Sequence, residues 1–167
     1  MKANKNSSEH EISPLTGWRL VRAKLFLFVV SMFRWMTLGA RGVLVDGTKV
    51  LLIRHTYVSG WQFPGGGVDA GETFESTMRR EVLEETGYEI LGKAHMHGVF
   101  LNNQVSRRDH VALFVQREFV QVAPFKPNRE IAEIGWFDVN DLPKDINRSA
   151  RQRISEIFED QDVSPNW

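Results

Sequence analysis

The stretch GGGVDAGETFESTMRREVLEETGY, residues 65–88, decides how the rest of this chain is read. Three glycines lead, by way of Glu72, into a run of strong helix formers (Met78, Arg79, Arg80, Glu81, Leu83, Glu84, Glu85) that stops at Gly87. That pattern predicts a helix over 73–86, closed by a glycine cap. Wound at about 100° per residue, the helix gathers Glu81, Glu84 and Glu85 into an arc of about 100°. Like charges at these spacings repel. The plain reading is a solvated acidic face relieved by Arg79 and Arg80, but each helical pair is worth only about 0.2–0.5 kcal/mol and does not explain the clustering. A cation that neutralises the three carboxylates does.

The chain has no cysteine, so thiolate metal sites and disulfides are excluded. Oxygen donors alone suit a hard cation, Mg2+ or Mn2+, better than zinc. Gly65, Gly66 and Gly67 lack Cβ atoms and let backbone approach a ligand closely. Their N–H groups could hold phosphate, and a glycine carbonyl could complete a metal's coordination.

Gly66, Glu72 and the run Arg80-Glu81-Val82-Leu83-Glu84-Glu85-Thr86-Gly87-Tyr88 together resemble the Nudix box, G-x5-E-x7-R-E-U-x-E-E-x-G-U with U apolar. Every fixed position matches. Tyr88 stands where the family usually carries an aliphatic residue, a change expected to affect packing and not chemistry. The resemblance implies an α/β/α sandwich with a mixed β-sheet, and a divalent-metal-dependent hydrolase of a nucleoside diphosphate linked to some further moiety. It further implies that Glu81, Glu84 and Glu85 bind the cations, with a glycine carbonyl, Gly65, as a further ligand. Arg80 would pair with a box glutamate to orient it, and Glu72 would support the box by hydrogen bonding. Phosphoryl chemistry needs charge neutralisation and positioning, which such a site supplies. Favoured substrates are nucleoside diphosphate sugars or ADP-ribose. A sanitising nucleoside triphosphate pyrophosphohydrolase is the alternative, and a non-catalytic nucleotide-binding module is the rival from another class, disfavoured by the intact box.

Outside the box the family commonly carries another carboxylate, as metal ligand or general base. Glu130, six residues before Trp136 in NREIAEIGWF, resembles it; Glu133 reads as a surface residue of a strand start, and Asp109 in RRDH is a second alternative. Trp61 is a candidate platform for a nucleobase; Phe63 reads as buried. Arg54, with His55 beside it at a strand end, and Arg108 and His110, with Arg107, around a polar loop, are candidates for phosphate or sugar contacts. Gly66 and Gly67 belong to the same substrate-binding set. His95 and His97 alternate along a strand and are expected on one face of its surface.

The 167 residues, 42% hydrophobic and 25% charged, suit one ordinary domain. The hairpin GVLVDGTKVLLIRH (42–55) turns at Asp46-Gly47. Residues 60–72 read as loop, 94–101, 110–120 and 134–139 as strands, and 147–159 as an amphipathic helix. Strands with interspersed helices make a layered α/β domain, here 38–160, followed by a tail, 161–167.

The N-terminal region differs. Residues 1–41 hold seven Lys/Arg against two Glu, so the remainder carries a net charge of −5. That acidity argues against a nucleic-acid partner, and the resemblance to the Nudix box implies a small nucleotide substrate. Residues 1–17 form a polar tail expected to be disordered. The segment 18–37 forms an apolar, basic helix whose uncharged run, Leu25 to Phe33, is too short to span a bilayer. The preferred reading packs it on the domain or across a homodimer. The other lays residues 18–36 on a membrane surface, with Arg19, Arg22, Lys24 and Arg34 toward anionic headgroups. A cytoplasmic, conditionally membrane-peripheral location follows.

Overall fold

Asp46 and Gly47 turn the chain as their composition requires. Strand β1 (Thr37–Asp46) is followed by a turn in which Gly47 takes φ 58°, and β2 (Lys49–His55) returns antiparallel. The computed structural model describes residues 36–159 and 161–167, together with Gly17, Val21, Arg22, Lys24 and Leu25. Two units, Met1–Trp35 and Met36–Trp167, divide the chain. In the first, Val21, Arg22, Lys24 and Leu25 are helical and exposed, and the Val21 N–H donates to the Gly17 carbonyl at 3.3 Å. The expectations for the polar tail, and for most of the basic helix, lie outside the described residues. Among the described residues no helix is long and apolar enough to cross a membrane.

After β2 come two short strands, β3 (Trp61–Gln62) and β4 (Gly65–Gly67), where the glycine content predicts only loop. Helix α1 (Phe74–Thr86) follows, then β5 (Tyr88–Ile90), β6 (His95–Leu101), β7 (Asp109–Gln116), β8 (Phe119–Gln121), β9 (Ile131–Asp138) and helix α2 (Arg148–Phe158). The main sheet runs β3-β2-β1-β7-β6, with β4 also on β1 and β9 on β2. Strands β1 and β7 are parallel and the other pairs antiparallel, so the sheet is mixed. The predicted strand over 110–120 is two: Arg117-Glu118 breaks it, and β8 leaves to pair with β5.

Side-chain alternation sorts the sheet residues into two cores. Val43, Val45, Val50, Leu52 and Leu113 pack with Ala150 and Ile154 of α2. Ala40, Leu44, Leu51, Ala112 and Phe114 pack with Met78 and Val82 of α1. The helices therefore cover opposite faces of one sheet. Alternation is interrupted in β6. The register of β6 on β7 shifts between Met96 and Gly98, so His97 is a bulged residue. His95 keeps the expected surface position, whereas His97 is half-buried on the α2 side and its Nε2 lies 3.4 Å from Glu156 of α2.

Residues 161–167 are joined to this domain. The Leu101 N–H donates to the Pro165 carbonyl and the Trp167 N–H to the Leu101 carbonyl, so the last residues extend the edge beside β6.

Candidate active site

Helix α1 begins where Thr73 and Ser76 cap each other, side chain to backbone in both directions, a capping box with serine at its third position. It ends at Gly87, left-handed at φ 75°, whose N–H donates to the Leu83 carbonyl. Met78 and Val82 fix its inner face in the core, and this orientation sets the glutamates at graded depths. The Glu85 side chain is buried, Glu81 is 17% exposed and Glu84 is 60% exposed.

The β4 backbone runs alongside. The Gly65 N–H donates to Glu85 Oε2 at 2.7 Å. Gly65 sits at φ 142°, and a Cβ there would run into the Ala40 carbonyl. At Gly66 a Cβ would collide with the Glu81 carboxylate. Gly65 is thus pressed against the β1 backbone as only glycine allows, while a side chain at Gly66 would displace the Glu81 carboxylate. The Gly65 carbonyl faces the Arg41 guanidinium at 3.4 Å.

Arg80 ties the box together. Its Nε and Nη2 donate to the two Glu72 carboxylate oxygens at 2.8 and 3.0 Å, and its Nη1 to Glu81 Oε1 at 2.7 Å, with Glu84 at 3.4 Å. Glu72 also accepts from the Thr77 hydroxyl (2.7 Å) and the Asp69 N–H (3.2 Å). The Arg80 bonds, then those from Thr77 and Asp69, hold the Glu72 carboxyl down at about 2. Glu85 behaves oppositely. Burial pushes it up to about 8, aided by the charges of Glu81 and Glu130 and opposed by the Gly65 N–H and Arg41.

The donor set fits a hard divalent cation by chemistry: three carboxylates on one edge of α1, beside open glycine backbone. A carboxylate this costly to ionise is one that a neighbouring cation would ionise. The set is not closed, because among the described residues no three Asp, Glu or His side chains stand at metal-binding spacing. Glu81 is instead turned to Arg80, and Glu85 to Gly65.

A cleft of about 600 Å³ opens beside this edge, bounded among others by Arg41, His55, Gln62, Gly65, Gly66, Gly67, Asn102 and Asp109. Arg41, absent from the sequence-based candidates, donates to the Phe63 carbonyl at 2.8 Å, and Glu85 and Glu81 are the charges that act on it most strongly. An arginine interrupting the apolar strand LGARGVLV was the available signal. His55 lines the cleft, while the candidate beside it, Arg54, is engaged elsewhere. The Arg54 guanidinium lies 4.7 Å from the centre of the Trp61 ring and meets Asp145 at 3.1 Å and Glu133 at 3.7 Å. Trp61 itself is buried in the α2-side core, edge-on to Phe137, and Phe63 is fully buried there. Neither ring borders the cleft. Burial, then the Arg41 charge, lowers the His55 pKa.

Glu130 is exposed in a turn held by Asn128, whose side-chain oxygen accepts the Glu130 and Ile131 N–H groups, both at 2.8 Å. Its carbonyl accepts the Thr56 N–H at 2.9 Å, pinning the turn to the end of β2, and its charge acts on both Glu85 and His55. Asp109 borders the cleft with both oxygens engaged, one by the Thr37 hydroxyl (2.6 Å) and one by the Asn102 amide (2.7 Å). Arg108 is exposed, with its backbone bonded to Ser106 and Thr37. His110 follows Asp109 along β7, so its side chain leaves on the other face, and its Nδ1 is buried without a partner.

The sequence profile of the NUDIX domain matches residues 36–157, nearly the whole of the second unit. The chain belongs to the Nudix family. Among curated proteins it is 33% identical over 106 residues to an ADP-ribose pyrophosphatase of Methanocaldococcus jannaschii, covering 62% of either chain. It is 38% identical over 69 residues to a putative 8-oxo-dGTP diphosphatase of Bacillus subtilis, covering 41% of this chain and 46% of that one. The match thus spans less than two thirds of either relative's length. A MutT NUDIX hydrolase from Burkholderia pseudomallei superimposes with a TM-score of 0.64 at 22% identity, over 74% of this chain and 99% of that one, and so shares the fold. Nudix enzymes generally use divalent metal cations, in keeping with the oxygen-only donor set.

Proposed function

We propose that this Nudix chain hydrolyses a pyrophosphate bond in a nucleoside diphosphate derivative, with ADP-ribose or a nucleoside diphosphate sugar as the favoured substrate. The observation that carries the reading is the placement of Glu81, Glu84 and Glu85 along one edge of α1, against Gly65 and Gly66 and beside a cleft large enough for a nucleotide. The likeness to an ADP-ribose pyrophosphatase supports the substrate class. The likeness to a putative 8-oxo-dGTP diphosphatase supports the second reading, a nucleoside triphosphate pyrophosphohydrolase.

Glu81, Glu84, Glu85 and the Gly65 carbonyl would hold the divalent cation, Mg2+ or Mn2+, which supplies neutralisation of the phosphate charge. Arg80 keeps Glu81 and Glu84 in place through Glu72, which anchors the guanidinium with two parallel bonds. Arg41 presents a positive charge to the cleft, where it stabilises an anionic diphosphate. Glu130, on a turn pinned beside His55, takes the proton from the attacking water. Its side chain is exposed, whereas the bonds from Thr37 and Asn102 occupy Asp109.

The test is a product analysis over ADP-ribose, nucleoside diphosphate sugars, nucleoside triphosphates and dinucleoside polyphosphates, with Mg2+ and again with Mn2+. Release of a nucleoside monophosphate from ADP-ribose or a sugar nucleotide is expected, and chelation should abolish it. Turnover of triphosphates alone would favour the second reading. Nucleotide binding without turnover of any substrate would leave a binding module.

A further inference from the structure

Part of the cleft lining differs in chemistry from the glycine backbone beside the glutamates. Met36, Leu38, Tyr57, Val58 and Val105 form it, and each is more than a third exposed. Apolar side chains gathered around a cleft and left in water mark a binding surface. They suit the faces of a flat ring better than a phosphate or a hydroxyl-rich sugar.

One polar pair interrupts this rim. Asn102, almost fully buried, gives its Nδ2 to Asp109 Oδ2 at 2.7 Å, while Asp109 Oδ1 accepts the Thr37 hydroxyl at 2.6 Å. An ionised carboxylate can only accept hydrogen bonds, so it fixes which end of the Asn102 amide turns toward it. The nitrogen must face Asp109. The amide oxygen is thereby turned away from Asp109, and no hydrogen bond to it is found among the described residues. With Asn102 in the cleft wall and its backbone carbonyl accepting the Val105 N–H, the amide offers an acceptor beside this apolar lining.

From this we infer that Asn102, its amide oriented by Asp109, is a specificity-determining residue that accepts an exocyclic amino hydrogen of a nucleobase, of the kind adenine presents. The inference rests on the proposed reading of the cleft as a nucleotide site and names the part of the substrate that meets its apolar lining. Asp109 is then a positioning residue. It acts through Asn102 and touches no reacting atom.

The test measures binding and not turnover, so it is separable from the hydrolase reading. Adenosine 5′-monophosphate and inosine 5′-monophosphate differ at this position, an amino donor against a carbonyl acceptor. Each is titrated calorimetrically, with Mg2+, into the full chain and into two variants, Asn102→Ala and Asp109→Asn. The wild type should prefer the adenine nucleotide by about tenfold, the ratio that one such hydrogen bond supplies. Asn102→Ala should lose the preference. Asp109→Asn should lose it too, because an amide at 109 can donate as well as accept and no longer dictates the Asn102 orientation. A third variant, Val105→Asp, at a residue 74% exposed, should weaken both nucleotides together without loss of melting temperature. Equal binding of the two nucleotides by the wild type, binding of neither, or a preference that survives Asn102→Ala overturns the inference. Preference without any hydrolysis would sink the enzyme proposal and leave the assignment of Asn102 standing.

Discussion

Glu84 and Glu85 are neighbours in sequence with opposite surroundings, and the contrast separates function from stability. Glu84 is 60% exposed and among the described residues its side chain meets only Arg80, at 3.4 Å, so folding asks little of it. Glu84→Gln should leave the melting temperature within about a degree or two, as surface substitutions usually do, and lower kcat by about 10²-fold or more. Near-normal turnover with Mg2+ would remove Glu84 from the cation site. Glu72 tests the opposite property. Its folded pKa, held at about 2, lies below the ordinary carboxylate value of 4.5. Between those values the unfolded chain binds the proton that the folded one refuses, so stability is present above about pH 4.5 and is lost as pH falls toward 2. Urea titrations at pH 7, 4.5 and 3 should show a wild-type decline that Glu72→Gln flattens. An unchanged acid decline in the variant would mean that other carboxylates carry it. The box residues were legible in the sequence because their spacing is itself the chemistry. Arg41 and Asn102 were not, since what matters at each is a neighbour brought from a distant strand.

At the scale of elements, α1 was readable to within a residue because caps and helix formers agree over 73–87. The sheet was less so. β3 and β4 are two and three residues long and are held by pairing with β2 and β1, a tertiary cause that local propensity does not contain. The candidate platform Trp61 shows the cost. Read as part of a loop, its ring was free to face a ligand; paired with Arg54 on β2, it falls on the core side. The bulge at His97 likewise depends on pairing with β7, which local propensity does not contain. The helix cap gives an element-scale prediction. The Thr73 hydroxyl accepts the Ser76 N–H at 3.1 Å and secures the first turn of the helix that carries Glu81, Glu84 and Glu85. Thr73→Ala should cost about 1 kcal/mol in a urea titration and leave KM nearly unchanged, whereas Thr73→Ser should restore the stability. An Ala variant as stable as wild type would show that packing at Met78 and Val82 alone fixes the turn.

Across the whole molecule, the two cores lie on opposite faces of one sheet, and the α2 side is closed by charge as well as by apolar packing. Arg153 is fully buried, its Nη2 2.7 Å from Glu156 and its guanidinium 4.2 Å from the centre of the Phe100 ring. Its Nη1 donates to the Ser164 carbonyl at 3.1 Å, while Glu156 Oε1 accepts the Ser164 N–H at 3.0 Å and Oε2 faces His97. One buried pair thus binds α2, the bulge of β6 and the C-terminal segment, which in turn bonds to Leu101, next to Asn102 of the cleft. Read from sequence, 161–167 is only a tail; its role comes from the partner that α2 brings to it. Removing one member of a buried pair leaves the other charged and desolvated, a loss of about 3–5 kcal/mol. Glu156→Gln should therefore destabilise the domain on that scale, and Arg153→Met with Glu156→Leu together should recover much of the loss, because apolar side chains of similar size need no partner. The double variant should also release the C-terminal segment, since both Ser164 bonds are gone, and hydrogen exchange at Trp167 and Leu101 should rise by at least tenfold. Slow exchange retained in that variant would mean that Trp167 against Phe100, whose ring centres lie 5.8 Å apart, holds the segment without the charges.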